Sequence, residues 1–168
     1  MAKVKHYVIV SVTLGAIAAA SAALIGVTNL VTREKIADNE RKAITKGLNY
    51  IFDGEVEVQE QNDLSGYKYV THYYSLGDDK YAFRTDGSNM YGKVSLIIGF
   101  RSEEFVKLYV IKNEQTYAST LVDSYINPLN DDERNKDDVK CGATYGATLV
   151  RDMIDDASKA VKEMNGKE

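Results

Sequence analysis

The chain has 168 residues, a formal net charge of -4 and 44% hydrophobic side chains, enough for one modest domain plus an appendage, with no global charge excess to grip nucleic acid. Its single cysteine, Cys141, excludes an intrachain disulfide and any multi-cysteine metal or iron–sulfur site within this sequence. Residues 1–31 hold Lys3 and Lys5 and no acid, which leaves 19 basic and 25 acidic side chains, a charge of -6, to the remainder. That remainder reads as an acidic, soluble domain.

The uncharged stretch Tyr7–Val31 is 25 residues long. At roughly 1.5 Å per helical residue it exceeds the roughly 30 Å of a bilayer core. The rival reading is a cleaved secretory signal, with Lys3 and Lys5 as its basic end and "AAASAA" as a small-residue cleavage region. Against it, the apolar run continues through Leu24, Ile25, Val27, Leu30 and Val31, so a retained anchor is expected. Gly15, Ala19, Ala22, Ala23 and Gly26 recur at steps of three and four, either as a smooth face for a neighbouring membrane helix or because alanine is common in such segments. Charge does not set the orientation, since Arg33, Lys35, Arg41 and Lys42 on one side outnumber Lys3 and Lys5 on the other.

Beyond the anchor, Ile36, Ala43, Ile44, Leu48 and Ile51 fall at near-helical spacing and predict an amphipathic stalk helix, broken at Gly47 or at Asp53-Gly54. Five alternating segments follow, "EVEVQE", "YKYVTHYYSL", "DKYAFRT", "KVSLIIGF" and "FVKLYVIKN". Turn-forming stretches separate them and imply an antiparallel sheet of adjacent hairpins. Residues 115–130 read as irregular around Pro128 and lead into the acidic loop "NDDERNKDD". Val150, Met153, Ile154, Ala157, Val161 and Met164 then predict an amphipathic helix from about residue 144 to 164 that covers the sheet. The expected class is α+β, with an anchor over 1–31, a stalk over 32–53 and a sheet domain over 54–168.

Two Gly-Ala-Thr triplets, 142–144 and 146–148, stand at the start of that last helix. A helix N-terminus presents unpaired N–H groups and partial positive charge, which suits a phosphate. Gly142, Ala143, Gly146 and Ala147 leave the backbone uncluttered for a planar or phosphorylated group. Thr144 is then either an attachment hydroxyl or an ordinary N-cap that needs no ligand.

Asp138-Val139-Lys140-Cys141-Gly142-Ala143-Thr144 resembles the Asp-x-x-Ser/Thr-Gly-Ala-Thr flavinylation motif of FMN-binding domains in the RnfG and NqrC subunits of ion-translocating electron-transport complexes. "TNLVTREKIADNERKAI" is similar to the anchor-to-stalk segment of RnfG, and "YGKVSLIIGF" followed by "NEQT" is similar to the family's strand pair and its Glu-Thr-Pro-Gly turn. The resemblance implies FMN held by a phosphoester on Thr144, installed by a flavin transferase that uses FAD. Asp138 would be read by that enzyme or would support the loop. Cys141, Gly142, Ala143 and Tyr145 complete the cofactor segment, and Tyr145, Tyr117 and Tyr91 could flank the ring. Thr148 lacks the motif's aspartate and is a poor acceptor. Cys141 stands where the motif has Ser or Thr, and "NEQTYASTLVDSY" lacks the Pro-Gly, so Glu114 and Thr116 take no role by analogy.

The resemblance further implies a subunit of an Rnf-type membrane complex that passes electrons between ferredoxin and NAD and drives Na+ or H+ transport. The chain would not be a complete enzyme alone. Its partners would be the other complex subunits, the flavin transferase and the membrane, with the sheet domain outside the cytoplasm. A stand-alone, membrane-tethered FMN protein of extracellular electron transfer is the alternative. A pilin-type structural protein is disfavoured by the absence of an acidic residue near the start of the apolar run. His6 and His72 have no paired metal-ligand spacing and are expected to be structural.

Overall fold

A computed structural model of the protein describes residues 2–165, with the side chains of residues 2–6, 30, 31, 34, 60 and 63 outside the description. Expectations for the side chains of Lys3, Lys5, His6, Leu30 and Val31 therefore lie outside the described residues. Two compact units divide the chain, Met1–Lys42 and Ala43–Glu168.

In the first unit, helix α1 (Ala2–Ile51) carries the apolar stretch Tyr7–Asn29, 23 residues of mean hydropathy 2.3 with none of them buried, long and apolar enough to cross a membrane. Thr13 and Thr28 donate their hydroxyls to the carbonyls of Ile9 and Leu24 at 2.9 and 2.8 Å, which satisfies both polar groups inside the helix. Past the stretch the surface turns polar, with Lys42 and Asp38 paired at 2.7 Å one turn apart.

The second unit opens with the end of α1. The helix runs through Gly47 and stops at Ile51, the second of the two break points read from the sequence. Gly54 N–H reaches back to the Asn49 carbonyl at 3.0 Å, and Asp53 takes a positive φ of 52° to allow it. Gly47 serves packing instead: a Cβ there would lie 2.7 Å from Tyr109 Cδ1 and 3.0 Å from Ile97 Cδ1, so glycine lets the helix settle onto the sheet.

The sheet is a meander of β1 (Glu60–Asp63), β2 (Val70–Ser75), β3 (Lys80–Asn89), β4 (Gly92–Arg101) and β5 (Glu104–Asn113), in spatial order β1-β2-β3-β4-β5 with every pairing antiparallel. Two boundaries differ from the sequence reading. The first strand lies at 60–63 rather than in "EVEVQE", where Val58 is exposed and only Val56 reaches a core. The polar run Asp86–Asn89, read as a turn, extends β3, because Gly87 lies under Leu149 and Met153 and Asp86 accepts a hydrogen bond from Ser95 at 2.5 Å. Tertiary contacts override weak strand propensity there. The actual turn is Met90-Tyr91, with Asn89 paired to Gly92.

Residues 118–130, read as irregular, are helical: α2 (Ala118–Leu121), a wider π turn (Val122–Ile126) and α3 (Asn127–Asn130), with Pro128 tolerated in the first turn of α3. Helix α4 (Thr144–Asn165) matches the terminal helix read from the sequence.

Strand alternation splits the interior into two cores. Val94, Leu96, Ile98 and Phe100 of β4, with Phe83 and Tyr73, meet Leu149, Val150, Met153, Ile154, Ala157 and Val161 of α4. On the opposite face Ile97, Ala82, Tyr74 and Leu76 meet Leu48 and Ile51 of α1. The class is α+β, with helices on both faces of the sheet rather than on one. At the free edge, Asn130 pairs with the β5 backbone: its Nδ2 donates to the Leu108 carbonyl, and its Oδ1 accepts from the Leu108 N–H, each at 2.9 Å.

Candidate functional site

A cavity of about 330 Å³ opens where the start of α4 meets α2, the β3–β4 turn and the loop after β5. That volume lies within the roughly 300–1,000 Å³ usual for small-molecule sites. Leu121 gives it an apolar surface, residues 142–146 form the helix side, and Tyr91, Tyr117 and Tyr145 supply aromatic walls. Tyr91 is tilted against Tyr145 at 5.3 Å between ring centroids and against Tyr117 at 6.4 Å. Tyr117 and Tyr145 remain 54% and 65% exposed, so two aromatic faces stand ready for a further planar group.

Thr144 is exposed on the cavity and is the first residue of α4. Its hydroxyl donates to the Cys141 carbonyl at 2.6 Å, whereas an N-cap oxygen accepts from a backbone N–H. The capping reading therefore gives way: the helix starts one residue earlier than a Thr144 cap would require, with Ala147 N–H bonding to the Ala143 carbonyl at 2.9 Å. Thr148, one turn on, donates to the Thr144 carbonyl at 2.9 Å and is only partly exposed.

The small residues of the triplets are used mainly by packing. A Cβ on Gly142 would come 2.9 Å from Thr120 Cγ2, and one on Gly146 would come 3.0 Å from Leu121 Cδ2. Ala143 and Ala147 are 7% and 0% exposed. The absence of side chains thus brings α4 close to α2, and the cavity is the space left beyond that contact.

A chain of side-chain amides fixes the opposite wall. Asn89 Oδ1 accepts from the Tyr91 N–H at 2.9 Å and from Gln115 Nε2 at 3.0 Å, while Asn89 Nδ2 donates to the Tyr145 carbonyl at 3.1 Å. Gln115 Nε2 also donates to the Gly92 carbonyl at 2.6 Å, and Asn113 Oδ1 accepts from the Gln115 N–H at 3.1 Å. Gly92, at φ +135°, has no room for a Cβ against the Glu114 carbonyl. Thr116 N–H reaches the Tyr91 carbonyl at 2.9 Å. The loop after β5 is therefore bound to the β3–β4 turn without a Pro-Gly pair.

Of the remaining residues singled out from the sequence, Asp138 and Cys141 adjoin the cavity segment without lining it. The Asp138 carboxylate lies 3.7 Å from Arg134, which also donates to the Asp138 carbonyl at 3.0 Å. Cys141 is half-buried against the α4-side core and offers its carbonyl, not its thiol, to Thr144. Within the acidic loop Lys136 pairs with Asp155 at 2.8 Å, and that hydrogen bond holds its ammonium above the ordinary lysine range. Glu114 is exposed and pairs with Lys112 at 2.6 Å, which lowers its carboxyl below the usual range. His72 lies in β2, with Nδ1 3.0 Å from Thr71 Oγ1 and its ring stacked on Tyr74. Among the described residues no group of three or more His, Cys, Asp or Glu side chains is arranged to hold a metal ion.

Asn89 and Gln115 were not singled out from the sequence. Their only local signal is polarity in a turn and a loop, and it is the fold that turns Gln115 inward to 7% exposure.

Residues 1–51 match the family model described as the RnfG N-terminal region. No curated protein and no solved structure matches the chain. The matched region ends where α1 ends, so the cavity is read from its own geometry.

Proposed function

From the premise that the N-terminal region of this chain is of the RnfG type, we propose that the protein is the electron-carrying subunit of an Rnf-type membrane complex. In this reading the complex couples ferredoxin:NAD electron transfer to Na+ or H+ translocation, and the chain carries FMN through a phosphoester on Thr144. The observation that carries the flavin part is an exposed Thr144 hydroxyl at the rim of a tyrosine-walled cavity.

The residues fit such a group. Thr144 Oγ1 would form the ester at the FMN phosphorus of FAD, losing the proton it now donates to the Cys141 carbonyl as the phosphoanhydride bond breaks and AMP leaves. That contact uses a backbone oxygen, so it does not depend on the side chain of Cys141. The free N–H groups of the first turn of α4 and its positive dipole end favour the phosphate charge. Tyr117 and Tyr145 would stack on the ring, and Leu121 would keep water from its inner edge. Bound FMN supplies one- and two-electron redox chemistry, while the protein supplies position and electrostatics. Tyr7–Asn29 would anchor the chain beside its membrane partners, with the soluble unit outside the cytoplasm.

The test is the intact mass and in-gel fluorescence of the denatured protein, produced with and without a flavin transferase, beside Thr144→Ala. An FMN mass increment that needs the transferase and vanishes in the variant supports the reading. An unmodified wild-type mass despite an active transferase sinks it. Comigration with other membrane subunits in detergent supports membership of a complex, and a lone carrier contradicts it.

A further inference from the structure

The amide network leaves one polar atom without work. Gln115 is 7% exposed, and its Nε2 is committed to two acceptors, Asn89 Oδ1 and the Gly92 carbonyl. Asn89 Oδ1 is itself held by the Tyr91 N–H, so neither amide can turn over without setting like groups against each other. The carboxamide orientation is thereby fixed, with Oε1 on the side of Gly146, 3.4 Å from where a Cβ on that glycine would stand. Gln115 and Gly146 both line the cavity. Among the described residues Oε1 receives no hydrogen bond. Oε1 is thus a fixed acceptor on the cavity wall, open to a donor from the occupant.

We propose that Gln115 is a specificity-determining residue whose Oε1 accepts a hydrogen bond from the N–H of a planar heterocycle bound between the tyrosines. This inference rests on the flavin reading and deepens it, because the imide edge of an isoalloxazine ring carries such an N–H between two carbonyls. Tyrosine stacking selects for a flat ring but not for its edge; the fixed carboxamide selects the edge. The same contact sets which end of the ring enters the cavity and which faces solvent.

The probes are lumiflavin and its N3-methyl derivative, which lacks the donor, titrated by flavin fluorescence into the full chain in detergent, prepared without transferase. Wild type is expected to bind lumiflavin about tenfold more tightly than the methylated ring. Gln115→Met, close in size and without the acceptor, is expected to bind both alike. Equal binding by wild type, no binding of either ring, or a preference that survives Gln115→Met overturns the inference. Should Gln115→Met fail to fold, the two probes on wild type still decide. Covalent mass on Thr144, read separately, tells the two failures apart. A preference without covalent flavin sinks only the attachment reading, and covalent flavin without a preference sinks only this one.

Discussion

The two faces of the sheet are covered by helices on opposite terms. The end of α1 lies on one face so closely that Gly47 must lack a side chain against Tyr109, and Gly99 must lack one against Ile51. Leu48 and Ile51 are 1% and 0% exposed, against a core of Tyr74, Leu76, Ala82 and Ile97. On the other face α4 packs as tightly along its length, but its first turn meets tyrosines and a chain of side-chain amides. These hold fixed lengths and angles and do not collapse to fill space. A cavity survives at that end because its walls are hydrogen-bonded in place, whereas the α1 face is held by dispersion and apolar burial.

Substitutions on either face sharpen the contrast. Thr144→Ala should have the largest functional effect, complete loss of covalent flavin, with a melting temperature within a degree or two of wild type because the side chain is exposed; parallel mass and thermal-melt measurements check both halves. Ile51→Ala should leave the proposed flavin loading intact in whatever protein folds and destabilise the second unit by about 2–5 kcal/mol, measured by urea unfolding. Asn89→Ala should lower stability by about 1–3 kcal/mol and also loosen the cavity, raising the quantum yield of the flavin proposed on Thr144 as the tyrosine walls separate.

The smallest effect is expected at high pH. Burial and the Glu163 carboxylate, which accepts the Tyr67 hydroxyl at 2.7 Å, push the Tyr67 phenol up to about 12, and burial raises Tyr125 as well. The unfolded phenols ionise near pH 10 while the folded ones resist. Their contribution is therefore complete below pH 10 and is lost as pH rises from 10 towards 12. Tyr67→Phe should flatten that fall in a series of urea midpoints, and an unchanged slope would count against it.

The elements with long, regular patterns were legible in the sequence. The terminal helix was read to within a residue at its end, because Val150, Met153, Ile154, Ala157 and Val161 repeat at helical steps. The second layer under the sheet was not, since Leu48 and Ile51 look the same on a solvated stalk as on a docked one, and Gly47 resembled a breaker until its neighbour was known. At the cavity, Tyr91, Tyr117 and Tyr145 could be suggested from the sequence but not brought together by it. Asn89 and Gln115 gave no periodic signal, as their value depends on partners 26 residues apart.

The pairing of Asn130 with Leu108 bears on how the sheet ends. A meander has two open borders, and β5 is ten residues long, enough to recruit a strand from a neighbouring copy. By presenting a carboxamide as though it were one more residue of sheet, Asn130 occupies the donor and acceptor at the middle of that border. A strand added along that border would find its central pair of hydrogen-bonding groups already taken by a side chain.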